Sequence, residues 1–429
     1  MNREMQKKIL HLMESGMAPA LGCTDPVGIA LCAAAARKAI PGEILKVEAV
    51  FSPSLLKNVA AVTIPKTEDL CGARMAMALG ITGGNPEKGL EVLDDVLPED
   101  IRAAQQLEQS GRITVSASED AHRLYMNIKI TTEKGTGEAT IEGGYSNITS
   151  IKTNGEETFT PGEMETVAAA VDNDTFEHLS LDTIIDFTES VPVSELGRVK
   201  EAIEMNRALA EEGLKGYKGC DVAVMLNEDM PDDHSKATLL QSTALWTSAG
   251  VDARMAGCPL PAMSNSGSGN QGIVCTLPVY GASLALGTDE ETMIRAAALS
   301  CLISAHIKHK VGLMTSICGE CIAAMGAGCA ITYMRGGRKE ELVAVLKNMT
   351  GNITGMICDG AKQSCTLKMA TCVYAAVLAS DLAMRGFSLK PTNGIVGADE
   401  TETIDNFVKI STEGLSAMDD AIMDIIMSK

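Results

Sequence analysis

Residues 356–369, MICDGAKQSCTLKM, constrain the fold more than any other stretch of this sequence. The two cysteines, Cys358 and Cys365, lie seven positions apart. On one continuous helix they would share a face but stand about 10 Å apart along its axis, too far for both thiolates to bind one compact metal centre. Asp359 and the glycine after it instead predict a turn and an N-cap for a helix that begins near Ala361.

The predicted turn leaves Cys358 in a loop that folds back toward Cys365. A third thiolate has to come from elsewhere, and Cys318, forty residues upstream of Cys358, is the best candidate. The alternative is that these cysteines are small buried hydrophobic residues, since no ferredoxin-type run is present. Cys318 also opens a C-x-x-C pattern with Cys321, but neither a thioredoxin-like strand before it nor a second zinc-type pair is evident.

The composition indicates a soluble cytoplasmic protein that does not bind nucleic acid. Lys+Arg 36 against Asp+Glu 56 gives a formal net charge of −20, which argues against a nucleic acid partner because phosphate binding needs a basic surface. Thirteen cysteines, an odd number, do not suggest a disulfide framework and favour a reducing compartment. Residues 3–14 predict an amphipathic helix rather than a signal peptide, and no apolar run predicts a membrane span. Assembly into a homo-oligomer stays open.

The apolar pattern predicts an α+β fold with a mostly helical part and a smaller sheet-containing unit. Residues 1–40 are expected to form helices that pack with the helical part. Residues 41–160 contain alternating, β-branched segments separated by glycine turns, which favour antiparallel hairpins. Within them ILKVEAVFS and VAAVTIP are predicted strands. Residues 161–429 are predicted to be helical, beginning near PGEMET.

Two polar segments of the sheet-rich part carry candidate binding residues. SPSLLKN, residues 52–58, is predicted to be a loop between two strands and contains Lys57 and Asn58. GGYSNI, residues 143–148, ends a strand on two glycines and contains Asn147. The local pattern by itself favours a tight turn there.

The third polar segment, residues 252–273, reads DARMAGCPLPAMSNSGSGNQGI. Its prolines and glycines exclude a helix interior, so we predict a loop whose backbone N–H groups can face a ligand. Residues 267–272 match G-x-G-x-x-G, but no strand is predicted before them and Pro259 and Pro261 occupy its place, which argues against a dinucleotide site. A small anion such as a carboxylate suits the loop better.

Cys23 lies just before a predicted helix in the segment ALGCTDP. Asp25 is a suitable N-cap and Pro26 a suitable first residue, and the alanine-rich run that follows favours helix. The positive end of the helix dipole favours the thiolate of Cys23, which could act as a base, a nucleophile or a metal ligand. Cys32, in the middle of the same helix, is expected in the core.

These segments resemble the iron–sulfur L-cysteine desulfidases, a branch of the L-serine dehydratase alpha-chain superfamily. The matching motifs follow one another over almost the whole chain: ALGCTDP, SPSLLKN, GGYSNI, DARMAG with LPAMSNSGSGNQGI, Cys318 near AAMGAG, MICDGAKQSC and GIVGAD. Tyr145 stands where the family motif has a histidine, so a proton-donor role at that position is not carried over. The related dehydratases can bring a C-terminal cysteine to their cluster, whereas the last cysteine here is Cys372.

The resemblance implies a [4Fe–4S] cluster with one open iron, bound in the helical, catalytic part by Cys318, Cys358 and Cys365. It implies Cys23 as the catalytic cysteine. The residues expected to bind the amino-acid substrate are Lys57, Asn58, Asn147, Ser266, Ser268, Asn270 and Gln271.

The implied reaction is α,β-elimination of hydrogen sulfide from L-cysteine, with Cys23 as the base. L-serine dehydration on the same site is the nearest alternative. A pyridoxal-phosphate lyase using Lys57 would need a phosphate-binding motif, and none is evident. A non-enzymatic iron–sulfur sensor or electron carrier would normally give each iron a protein ligand and would have little use for the polar loop.

Overall fold

The computed structural model describes residues 1–67, 70–118, 124–159, 173–217, 219–231, 236–312, 314–415 and 417–428. The α-helices in these ranges are α1 Arg3–Gly16, α2 Thr24–Ala39, α3 Pro53–Val59, α4 Ala73–Gly83, α5 Pro98–Gln109, α6 Asn173–Glu177, α7 Leu181–Ser190, α8 Gly197–Gly213, α9 Val222–Glu228, α10 Leu239–Met255, α11 Gly269–Leu286, α12 Glu290–Val311, α13 Gly319–Met334, α14 Lys339–Ile353, α15 Cys365–Ala383, α16 Glu400–Lys409 and α17 Met418–Met427. The strands are β1 Pro19–Leu21, β2 Ile44–Phe51, β3 Ile113–Ala117, β4 Tyr125–Thr132, β5 Gly135–Glu142, β6 Ile148–Thr153, β7 Glu156–Glu157 and β8 Pro261–Met263. The predicted α+β class is confirmed.

The chain divides into two compact units. The helical unit comprises Met1–Pro19, Val171–Cys358 and Gln363–Ser416, and the sheet unit comprises Ala20–Ala170, Asp359–Lys362 and Ala417–Lys429. Residues 20–40, predicted to pack with the helical part, group with the sheet because α2 packs on β4, β5 and β6. The predicted boundary near residue 160 and the PGEMET helix start lie outside the described residues.

The sheet has six strands in the order β3-β2-β4-β5-β6-β7. From β2 through β4 to β7 every pairing is antiparallel, which confirms the predicted hairpins. The pair β2 and β3 is parallel, since the chain crosses over through α4 and α5 between them. Met126, Ile128 and Ile130 alternate along β4 and are fully buried, so one face of the sheet forms a core with α2.

Two local predictions between residues 52 and 65 are wrong. SPSLLKN forms α3 rather than a loop, because Pro53 suits a first helical turn and Leu55 and Val59 share a buried face. VAAVTIP forms no strand and contributes only an isolated bridge between Thr63 and Cys71.

In the helical unit α13 packs against α11, α12, α14 and α15. Ala323, Ala324 and Ala327 on α13 are fully buried, and such small side chains let helices approach closely. Among the described residues one helix, α15, is long and apolar enough to cross a membrane, although no such run was expected. It is 61% buried inside the protein, and core helices of soluble proteins meet the same criterion.

Candidate active site

Cys23 lies at the N-terminal end of α2, as predicted. It is the N-cap residue, its side chain is 4% exposed, and its Sγ donates to Asp25 Oδ2 over 3.2 Å. The helix begins at Thr24, earlier than predicted, so Asp25 and Pro26 belong to its first turn and Asp25 is not the cap. The dipole of α2 favours the thiolate of Cys23, while the Asp25 carboxylate accepts the hydrogen bond of the thiol form.

Asp25 is the centre of a small hydrogen-bond network in the sheet unit. In addition to the hydrogen bond from the Cys23 thiol, its carboxylate accepts hydrogen bonds from Asn58 Nδ2 over 3.2 Å and from Tyr145 Oη over 2.9 Å. Burial, and then the charge of Asp25, raise the pKa of Tyr145 well above its usual value near 10. Tyr145 therefore stays protonated around neutral pH and acts as a hydrogen-bond donor to Asp25.

The Lys57 side chain is 1% exposed and forms an internal ion pair. Its Nζ lies 2.7 Å from Asp419 Oδ1, and Ser54 Oγ donates to the other carboxylate oxygen over 3.0 Å. A buried ammonium needs such a partner because desolvation of an isolated charge is costly. Nothing in the local sequence points to Asp419, which follows 362 residues later.

Asn147 closes the turn between β5 and β6. Its side-chain amide donates to the Glu142 carbonyl over 2.7 Å, and its backbone N–H donates to the Gly144 carbonyl over 3.1 Å. Asn147 thereby holds the turn that places Tyr145 against Asp25.

The short segment Asp359–Lys362 belongs to the sheet unit and lies on the end of α3. Gly360 has φ +96°, and a Cβ there would lie 2.5 Å from the Lys57 carbonyl oxygen, so only glycine fits. Ala361 N–H donates to the Asn58 carbonyl over 3.3 Å. The prediction of a helix starting near Ala361 is wrong for this reason, and α15 begins only at Cys365.

Cys318 and Cys358 lie side by side in the helical unit. Cys318 N–H donates to the Met356 carbonyl and Cys358 N–H donates to the Ser316 carbonyl, both over 2.8 Å, around an isolated antiparallel bridge. Cys358 lies in a loop, as predicted, and is half-buried there.

Two of the three predicted cluster ligands lie at the N-termini of helices. Cys318 is the N-cap of α13 and Cys365 is the first residue of α15, which packs on α13. Burial, and then the nearby Glu320 carboxylate, raise the pKa of Cys318 well above its usual value. That thiol therefore becomes a thiolate only with a compensating cation, as a metal provides.

This donor set fits an iron–sulfur cluster. In the described part of the chain no three His, Cys, Asp or Glu side chains converge on one metal ion. In a cubane cluster, however, each cysteine binds a separate iron, so the sulfurs stand further apart than around a single ion. Thiols at two helix N-termini and in one loop suit such an anionic group, because helix N-termini favour negative charge.

The polar loop precedes α11 and is held by a side-chain cap and by a hydrogen bond to the end of α1. Ser268 is the N-cap of α11, where its Oγ accepts Gln271 N–H at 3.3 Å. Ser266 has φ +51°, and its N–H donates to the Gly16 carbonyl over 3.0 Å. Contrary to the prediction, a strand does precede this loop, namely the three-residue β8.

A buried polar chain runs from this loop to the start of α13. Arg254 Nη1 donates to Asn270 Oδ1 over 2.6 Å, and Asn270 Nδ2 donates to Glu320 Oε1 over 3.4 Å. The other oxygen of Glu320 accepts the Cys318 thiol. The structure thus brings Asn270 close to the predicted cluster ligand Cys318 through a carboxylate.

Sequence reasoning did not single out several residues of these networks. Asp25 was predicted only as a helix cap. Arg254 lies in the family motif DARMAG and Glu320 in the C-x-x-C pattern, so their place in these patterns was the available signal. Asp419 lies in no motif.

Comparison with known proteins identifies the family. The profile described as "Serine dehydratase alpha chain" matches residues 87–424. A UPF0597 protein of Oleidesulfovibrio alaskensis is 36% identical over 422 residues, 98% of each chain. One of Porphyromonas gingivalis is 35% identical over 433 residues, 100% of each chain. Because the profile match covers well over half of the chain, the chain belongs to the serine dehydratase alpha-chain family, whose name describes a dehydratase-type lyase.

Proposed function

We propose that this protein removes hydrogen sulfide from L-cysteine by α,β-elimination. Loss of the Cα proton and of the sulfur gives aminoacrylate, and water then converts aminoacrylate to pyruvate and ammonia. The observation that carries the proposal is the thiol of Cys23, held at a helix N-terminus against Asp25 in a chain of this family. A thiol at a helix N-terminus with a hydrogen-bond acceptor beside it can serve as the base that removes the Cα proton.

In this mechanism Cys23 gives its proton to Asp25 and the resulting thiolate takes the proton from Cα. Asn58 and Tyr145 donate to Asp25, and so they hold its carboxylate toward the thiol. We propose the following residues for binding the substrate carboxylate and amine: Lys57, Asn58, Asn147, Ser266, Ser268, Asn270 and Gln271.

We propose that Cys318, Cys358 and Cys365 hold a [4Fe–4S] cluster. When bound, an iron without a protein ligand supplies a Lewis acid for the substrate carboxylate or the departing sulfur. Cys318 is the N-cap of α13 and Cys365 is the first residue of α15, so both thiols would hold the cluster at helix N-termini, where negative charge is favoured. A cytoplasmic location suits this chemistry, because thiolate ligands need a reducing compartment.

L-serine dehydration is the second candidate, and the family description favours it. Hydroxide leaves less readily than hydrosulfide, so serine would depend more on stabilisation of the leaving group.

The test is turnover by anaerobically reconstituted protein, with sulfide and pyruvate measured separately. We expect an iron–sulfur absorption band and equal amounts of the two products from L-cysteine, with a higher kcat/KM than for L-serine. A higher kcat/KM for L-serine would support the second candidate. A cluster without turnover of either amino acid would exclude both activities.

The cluster assignment has its own test in serine variants. Cys318→Ser, Cys358→Ser and Cys365→Ser should each lower bound iron at least severalfold, since the oxygen of serine replaces thiolate poorly in such sites. Cys329→Ser, at a fully buried position in the middle of α13, is the matched control and should retain iron. Equal iron in all four variants would contradict the assignment.

A further inference from the structure

Two buried acceptors lie at the start of α13. Glu320 is 8% exposed, and its two carboxylate oxygens accept hydrogen bonds from Asn270 Nδ2 and from the Cys318 thiol. Gln271 is 3% exposed, and its Oε1 has no hydrogen-bond partner within the described residues. A buried acceptor without a donor costs free energy, so Gln271 Oε1 indicates a ligand that donates.

Gln271 of α11 and Glu320 of α13 both lie near the N-terminus of α13. The Gln271 amide rests on Gly319, where a Cβ would stand 2.8 Å from its Nε2, and Glu320 is the next residue. Asn270 connects the two elements through its hydrogen bond to Glu320. Arg254 donates a hydrogen bond to Asn270 Oδ1, and this orients the Asn270 amide with its Nδ2 toward the Glu320 carboxylate.

The Glu320 carboxylate can accept more than the two hydrogen bonds it receives, because its two oxygens offer about four lone-pair sites. The Gln271 amide oxygen accepts none from the described residues. An ammonium group has three donors and a positive charge, and therefore satisfies both acceptors and neutralises the carboxylate.

We propose that Glu320 and Gln271 bind the α-ammonium group of the amino-acid substrate. This inference rests on the proposed function and assigns Glu320 a role in recognition. It implies that the site selects α-amino acids over carboxylic acids of the same shape that lack the amine.

The test compares two ligands that differ only in the amine. 2-Methyl-L-cysteine lacks the Cα proton and cannot undergo elimination, and 3-mercapto-2-methylpropanoate is the same molecule without its ammonium group. The dissociation constants of both are measured on the anaerobic holoprotein by calorimetry. For the unaltered protein we expect the amine to strengthen binding about tenfold or more, as for a charge-assisted hydrogen bond.

Glu320→Gln should reduce this preference for the amine about tenfold while binding of the amine-free ligand stays unchanged. Gln271→Leu should reduce it severalfold and serves as the decisive variant if Glu320→Gln fails to hold iron. Glu341→Gln on α14 is the control and should keep the preference of the unaltered protein. An unchanged preference in Gln271→Leu, and in Glu320→Gln where it retains iron, would overturn the inference. Failure of the unaltered holoprotein to bind 2-methyl-L-cysteine would instead reject the proposed substrate.

Discussion

Cys23 and Cys32 show how position on one helix decides the chemistry of a thiol. Both belong to the α2 region and both are buried. Cys32 donates to the Ala139 carbonyl over 3.3 Å, and burial raises its pKa far above the usual value. Cys23 instead has the helix N-terminus and the Asp25 carboxylate. The alanine-rich helix therefore carries one candidate base and one packing residue.

Cys23→Ala should lower kcat for L-cysteine by at least about a hundredfold, because a positioned base contributes on that order. The iron–sulfur absorption should stay, since Cys23 is not among the proposed ligands. Cys32→Ala is the matched control and should retain kcat per folded molecule. Loss of both activity and iron in Cys23→Ala would make Cys23 a cluster ligand instead.

At the scale of elements, an ion pair ties α17 to α3. Lys57 is buried, and Asp419, with a side chain 15% exposed, supplies its counter-charge from the first turn of α17. A surface pair such as Lys46–Glu48 differs, because both side chains are about half exposed and water screens the charges. The C-terminal helix is therefore held to the sheet unit partly by one internal charge pair.

Asp419→Asn should lower the free energy of unfolding by about 2–3 kcal/mol, because it leaves the Lys57 ammonium without a counter-charge. Chemical denaturation monitored by circular dichroism measures the change. Glu48→Gln in the exposed pair should cost less than about 0.5 kcal/mol. An equally small effect of Asp419→Asn would show that the buried pair does not hold α17.

At the scale of the whole molecule, we expect His306 of α12 to contribute to acid stability. Burial, with Lys310 and His309 as further causes, lowers the pKa of His306 to about 4. The folded protein keeps this imidazole neutral, whereas the unfolded chain binds a proton below about pH 6.5. Its contribution to stability is thus complete above pH 6.5 and is lost as the pH falls toward 4.

We expect the free energy of unfolding to fall by about 2 kcal/mol between pH 6.5 and 4 through this group. His306→Gln, which cannot take up a proton, should flatten that part of the profile. His11→Gln at an exposed position of α1 should leave it unchanged. The measurement is the denaturant midpoint of the unaltered protein and of the two variants at half-unit pH steps. Parallel pH profiles for all three proteins would contradict the prediction.

Much of the architecture follows from the sequence itself. Alternating apolar residues in β4 and β5 predict half-buried strands, and the alanine run of α2 predicts a helix after Cys23, because these patterns act over a few neighbouring residues. The same local logic fails at SPSLLKN and near Ala361. There, burial of Leu55 and a hydrogen bond from Ala361 to the Asn58 carbonyl outweigh local preference.

The sequence alone determined the fold class, the family motifs and the candidate thiols, since all of these depend on residue type and spacing. Only the tertiary structure decided the partners: Asp419 for Lys57, and Glu320 between Asn270 and Cys318. The physical reason is that a buried charge or thiol must be satisfied by whatever group packing brings within about 3 Å. That group can stand hundreds of residues away, where no local pattern reports it.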